Sequence, residues 1–187
     1  MELTTIGSIY NLATKCLTEM RTKFGMGYVL AVLLMGGCLV QAPANAGSWT
    51  DIETLKTELM KTGTKVLELK CKEKELMAYY EFEDKKLDQI VICVNNIDKD
   101  DPDEYWESLV HEATHAMHAC TGDYALNDKS IARAYRELQA INPTSVEDIQ
   151  AYGSWNKRQE VEARWMEFQT PEFAIELLKM NCKEVTP

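Results

Sequence analysis

The feature of this 187-residue chain that most constrains its fold is the run His-Glu-Ala-Thr-His at residues 111–115. Two histidines four positions apart face a common point only when the segment is helical, because residues i and i+4 share one helix face. Uncharged residues flank the run on both sides, as a buried helix requires. The sequence therefore predicts a helix on which His111 and His115 bind one metal ion, with Glu112 close enough to act as general base toward a metal-bound water.

The predicted bounds of this helix follow from its end signals. Asp101 is a plausible N-cap, Pro102 suits the first turn, and Glu104 gives the spacing of a capping box. We expect the helix to run through Cys120 and to stop at Thr121–Gly122. The acidic stretch 98–103 before it is interpreted as a solvated loop.

The third histidine, His118, lies on the same helix face, seven residues after His111. Ligands on three successive turns would span roughly 10 Å of helix rise, too far to converge on one ion. His118 is therefore interpreted either as a residue that lines the pocket or supports the ligands, or as a helix-end histidine without a role.

The remaining pattern predicts an α+β fold, with a small three-stranded sheet against a mainly helical layer. A first helix covers Asp51–Met60 and ends at Gly63. Three strands in a meander are expected at Lys65–Cys71, Leu76–Glu83 and Gln89–Asn95. The later helices are expected at 129–140 after a cap at Asp128, briefly after Ser145, at 155–169, and from Thr170 to near Cys182.

The N-terminal segment has the pattern of a signal peptide. Its apolar stretch, Tyr28–Val40, has thirteen residues, whereas a spanning helix needs roughly 17–25. A small-x-small cleavage site follows at 44–46, so residues 1–46 are predicted to be removed and 47–187 to form the mature domain. Met20 is an alternative start with a compact basic n-region. Lipidation of Cys38 and a retained anchor are weaker alternatives, and no stable membrane anchor is expected.

Four cysteines remain after this cleavage, an even number that suggests two disulfides in an exported chain. We expect Cys71 to pair with Cys93 and Cys120 with Cys182, and the protein to be secreted or periplasmic. Four free thiols in a chain that is not exported is the alternative.

The net charge is −10, with 20 basic and 30 acidic residues and no basic run. Nucleic acids and anionic membrane surfaces attract proteins through cationic contacts, so neither is an expected partner.

A catalytic zinc site needs a third protein ligand and an open position. The longer metzincin pattern fails, because His118 replaces its glycine and Thr121 its last histidine. A later Glu-Val-Glu-Ala run at 160–163 offers carboxylates instead. With this run, the chain resembles the gluzincin group of zinc metallopeptidases, and a zincin-like domain is the fold that the resemblance implies.

The resemblance implies that His111, His115 and Glu160 bind Zn²⁺ and that Glu112 is the catalytic base. Glu162 is the competing ligand: the two carboxylates are about 200° apart on a helix, so only one can face the ion. Family spacing favours Glu160, whereas the apolar stripe of Val161, Trp165 and Phe168 favours Glu162. The aspartate that often follows the alanine in such proteins is replaced by Arg164.

The resemblance also implies that the strand Gln89–Asn95 is an edge strand that pairs with an extended substrate. The tyrosines available to stabilise an oxyanion are Tyr124, Tyr135 and Tyr152, and the sequence does not choose among them. The aromatic side chains of Trp155, Trp165 and Phe168 are interpreted as core.

The leading hypothesis is an exported zinc peptidase whose partner is a peptide or protein substrate. The alternative is a non-catalytic, disulfide-stapled exported binding protein with a structural or vestigial metal site.

Overall fold

Six helices and a three-stranded sheet occupy the part of the chain described by the computed structural model, residues 47–83, 86–150 and 156–185. The predicted α+β class is confirmed. In chain order the elements are α1 (Trp49–Thr62), β1 (Lys65–Leu69), β2 (Ala78–Glu83), β3 (Leu87–Cys93), α2 (Pro102–Thr121), α3 (Asp128–Ile141), α4 (Pro143–Gln150), α5 (Lys157–Met166) and α6 (Pro171–Asn181).

Several predictions fall outside the described residues. They are the signal segment 1–46 with its start at Met20 and its alternative lipidation at Cys38, and the roles given to Tyr152 and Trp155.

Helix ends follow the predicted signals in most places. Gly63 and Gly122 end α1 and α2 in the left-handed conformation, with φ of 99° and 69°, which suits residues without a Cβ. Asp101 caps α2 by accepting a hydrogen bond from the Asp103 amide. The predicted capping box is wrong: in a capping box Glu104 would accept a hydrogen bond from the backbone amide of Asp101, but it accepts from the Asp98 amide at 2.8 Å.

The cap of α3 also differs from the prediction, since Asn127 and not Asp128 accepts the first free amides of the helix. An N-cap residue stands just before the helix, so that its side chain can accept hydrogen bonds from the free amides of the first turn. Asp128 is already the first residue of that turn, so this position belongs to Asn127.

The sheet has the strand order β1-β3-β2, so the predicted meander is wrong. β3 is central; it pairs in parallel with β1, with Val66 opposite Ile90, and antiparallel with β2, with Tyr80 opposite Ile90. Among the described strands, β2 and β3 form the antiparallel pair, and β2 lies at one edge of the sheet.

Both predicted disulfides are present. Cys71–Cys93 joins the chain just after β1 to the last residue of β3, and Cys120–Cys182 joins the end of α2 to the residue after α6. The Asn95 side chain reinforces the first junction by accepting from the Cys71 amide and donating to its carbonyl.

The main core lies between the sheet and α2, with α1 and α6 packed around it. α2 contributes one whole face to it, which includes Trp106, Leu109, Val110, Ala113 and Met117. A smaller cluster joins α3, α4 and α5. Trp165 is buried, as predicted, and Phe168 packs against the smaller cluster.

Loss of the Cys120–Cys182 disulfide should destabilise the domain more than loss of Cys71–Cys93. The sequence separations are 62 and 22 residues, which correspond to about 4 and 3 kcal/mol on the loop-entropy model. Urea unfolding of the two double Cys→Ala variants measures both free energies. Equal stability of either variant and the unmutated protein would contradict this expectation.

Candidate metal centre

Helices α2 and α5 bring together three side chains that could hold a metal ion. His115 Nε2 lies 3.3 Å from His111 Nε2 and 3.5 Å from Glu160 Oε1. His111 Nε2 lies 3.7 Å from the other oxygen, Glu160 Oε2. One ligand atom from each residue thus lies within 4.8 Å of the others, so this group can hold a single metal ion.

A second carboxylate, from Glu167, orients His111. Glu167 Oε1 lies 2.7 Å from His111 Nδ1 and also accepts from Arg164 at 3.0 Å. A carboxylate only accepts hydrogen bonds, so Nδ1 carries the proton and the Nε2 lone pair of neutral His111 faces the other ligands. Sequence reasoning missed Glu167, although its position seven residues after Glu160 indicates the same helix face.

The two histidines differ in their affinity for protons. Burial alone would lower the pKa of His111, but the hydrogen bond that His111 donates to Glu167 and the charge of Glu112 outweigh it, and this pKa is raised. Burial and the nearby imidazole of His111 lower the pKa of His115 to about 3. His115 is therefore neutral, the form that binds metals, over the whole physiological range.

Glu112 is buried beside the metal group, with 8% of its surface exposed. Burial raises its pKa, the charge that His111 carries when it is protonated lowers it, and the charge of Glu160 raises it further. The backbone amide of Tyr80 on β2 also favours the carboxylate form. A carboxylate with a raised pKa at such a place suits proton transfer near neutral pH.

The competing carboxylate, Glu162, points elsewhere. It is fully buried, and its Oε2 lies 3.0 Å from His118 Nε2 and accepts from the amides of Ala125 and Leu126. Arg158 donates to the other oxygen at 3.3 Å. Glu162 therefore joins α2, α5 and the turn before α3. The apolar stripe of α5 favoured Glu162 as the ligand because this residue is buried, but Glu160 is the carboxylate that faces the histidines.

His118 both lines the cleft and packs against a predicted ligand, which are two of the roles expected for it. It lines the cleft and packs edge-on against His115, with ring centroids 5.6 Å apart. Its bond to Glu162 ties the last turns of α2 to α5.

The metal group lies in an open cleft of about 780 Å³ between α2, α5 and the edge strand β2. The expectation that Gln89–Asn95 is the edge strand is wrong, because β3 is paired on both sides. The Cys93 amide of β3 donates to the Met77 carbonyl. With the register of the two strands, this bond means that the backbone groups of Met77, Tyr79 and Glu81 face β3. The N–H and C=O groups of Ala78, Tyr80 and Phe82 therefore point away from the sheet, toward the cleft.

Two of the three tyrosines expected to stabilise an oxyanion do not line the cleft that holds the metal group. Tyr124 and Tyr135 are absent from the described lining of the cleft, and the Arg158 guanidinium covers the Tyr124 ring at 3.8 Å. Tyr79 and Tyr80 of β2 line the cleft instead.

No protein-family model matches the chain, and neither a curated protein nor a solved structure matches it.

Two disulfides indicate an oxidising, extracellular type of environment. Within the described ranges, none of the helices is both long enough and apolar enough to cross a membrane.

Replacing Glu160 and Glu162 in turn by glutamine should distinguish a metal ligand from a buried structural carboxylate. We expect Glu160→Gln to weaken zinc binding by more than about a hundredfold, because a ligand matters more than its supporting groups. Glu162→Gln should keep one zinc per chain but lower the free energy of unfolding by about 1–3 kcal/mol, because its buried partners lose a charged acceptor. Zinc titration and urea unfolding measure the two effects.

The matched control is Glu147→Gln, since this exposed α4 carboxylate lies outside the cleft. It should change neither quantity. Zinc loss in Glu162→Gln with retention in Glu160→Gln would reverse the ligand assignment.

Zinc affinity should keep rising with pH above about 6.5, the ordinary pKa of imidazole. His111 has a raised pKa, so below that pKa its proton competes with the metal; His115 does not compete in this range. Competition titrations across pH 5–9 test this expectation. Glu167→Gln should move the steep part of the curve to lower pH, and an unmoved curve would argue against the role of Glu167.

Proposed function

We propose that this protein is an exported zinc-dependent peptidase of gluzincin type, with His111, His115 and Glu160 as zinc ligands and Glu112 as catalytic base. The observation that carries the proposal is the convergence of the three ligand atoms beside a buried carboxylate, in a cleft bordered by a free strand edge. The substrate is a peptide or protein.

The donor set and its spacing support zinc as the metal. Zinc takes histidine nitrogens at about 2.0–2.1 Å, and tetrahedral ligands at that distance stand about 3.3–3.4 Å apart. In the structure the two histidine Nε2 atoms lie 3.3 Å apart, and each lies 3.5 or 3.7 Å from one oxygen of Glu160. Two imidazoles, one carboxylate and a remaining open position form the ligand set of catalytic zinc. When bound there, zinc supplies Lewis acidity and lowers the pKa of a coordinated water.

Glu112 performs the proton transfers in this proposal. Its carboxylate takes a proton from the attacking water and delivers it to the nitrogen of the scissile bond as the amine leaves. Burial favours this exchange, since the raised pKa brings the acid and base forms closer in energy at neutral pH. The Tyr80 amide, on the opposite wall of the cleft, favours the ionised form of this carboxylate and lowers its pKa.

The edge strand β2 receives the substrate in this proposal. An extended peptide laid along β2 finds, at alternate positions, backbone groups of Ala78 and Phe82 that no described strand pairs with, so it is held by main-chain hydrogen bonds. Glu112 and the ligands of α2 then face the peptide from the other side. Secretion or periplasmic location agrees with the two disulfides.

Glu112→Gln should abolish hydrolysis and leave zinc binding intact. Loss of the base removes about 10²–10⁴ in rate, whereas the three ligands are untouched. Peptide cleavage by the zinc-loaded variant, read by mass spectrometry, is compared with metal content of the same sample. Glu147→Gln should retain both properties.

Full hydrolysis by Glu112→Gln would remove Glu112 from the mechanism. Zinc binding by the unmutated protein without cleavage of any peptide in a diverse mixture would favour the non-catalytic binding protein instead.

A further inference from the structure

One wall of the cleft is formed by the first turns of α2, before the metal ligands. Glu104, Ser108, His111 and His115 follow one another at spacings of four, three and four residues, which places them on a single helix face. Glu107 lies one turn before His111. Glu104, Glu107 and Ser108 all line the cleft, and we refer to these three as the acidic wall.

The acidic wall carries carboxylate charge without a cationic partner. Glu107 makes no ion pair or hydrogen bond to any described residue, and one oxygen of Glu104 accepts only from the Asp98 amide. Arg164 is the one lysine or arginine among the described lining residues, and it is already paired with Glu167 at 3.0 Å. The charge of the wall is therefore available to a ligand.

Ser108 gives a second and independent indication of a ligand. It is only 7% exposed, and its Oγ is buried without a hydrogen-bond partner in the described part of the chain. Buried hydroxyl groups are rarely left unpaired in folded proteins. A group that donates hydrogen bonds next to Glu104 and Glu107 would satisfy this oxygen.

We infer that the acidic wall binds a lysine or arginine side chain of the substrate, close to the metal group. Ammonium and guanidinium groups donate several hydrogen bonds and accept none, which matches two carboxylates and an unpaired hydroxyl oxygen. A peptide extended along β2 carries side chains alternately toward and away from α2, so one of them reaches the wall. The inference rests on the proposed function, since it defines the substrate class of the same cleft.

Binding of two peptide pools to the zinc-loaded Glu112→Gln protein tests the inference. The pools share random flanks without lysine or arginine and carry arginine or its neutral isostere citrulline at a fixed central position, with a fluorescent label for anisotropy. We expect the arginine pool to bind about five- to tenfold more tightly, with the advantage shrinking as salt is added. Glu107→Gln and Ser108→Ala should each reduce this ratio, and Glu147→Gln should preserve it.

Equal binding of the two pools, or no binding of either, would overturn the inference, as would an unchanged ratio in both wall variants. Hydrolysis of the same pools by the unmutated protein separates this failure from failure of the proposed function. Cleavage without preference for arginine overturns only the charge selection. Preferential binding without any cleavage supports the acidic wall as a binding site and contradicts the peptidase.

Discussion

Burial of one face of α2 is the constraint on which the rest of the structure depends. Leu109, Val110, Ala113 and Met117 are all fully or almost fully buried, so rotation of the helix would expose apolar area worth several kcal/mol. That packing fixes the direction of His111 and His115, which lie on the neighbouring face. The rotation of the site helix is thus set by the core, and this packing positions the two histidines.

Two predictions from the sequence, the meander and the pairing of Cys71 with Cys93, are incompatible with each other. In a meander the first and third strands lie on either side of the second, about 9.6 Å apart. The Cys71–Cys93 disulfide that the same sequence suggests requires its Cα atoms to lie far closer, and they are 5.2 Å apart. Alternation identifies strands, but only a long-range link such as this disulfide identifies their neighbours.

The candidate site was predictable to different degrees. His111 and His115 follow from local spacing, because one helix brings them together. The choice between Glu160 and Glu162 depends on how α5 is rotated against α2; the apolar stripe correctly indicates that Glu162 is buried, but it does not indicate which carboxylate faces the histidines. Glu162 is buried because Arg158, His118 and two backbone amides compensate its charge, and sequence patterns do not reveal such partners. The roles of Glu167 and β2 required the packed structure for the same reason.

The two disulfides leave α5 without a covalent cross-link to α2, and the metal group lies between these two helices. One disulfide closes the sheet and the other joins α2 to the residue after α6, while α5 is tied to α2 by packing and polar contacts alone. An ion held by His111, His115 and Glu160 acts as a third cross-link, between segments 45 residues apart in the chain. If zinc is that ion, as proposed, the melting temperature of the domain would rise with the free zinc concentration, because a ligand that binds only the folded state stabilises it by mass action.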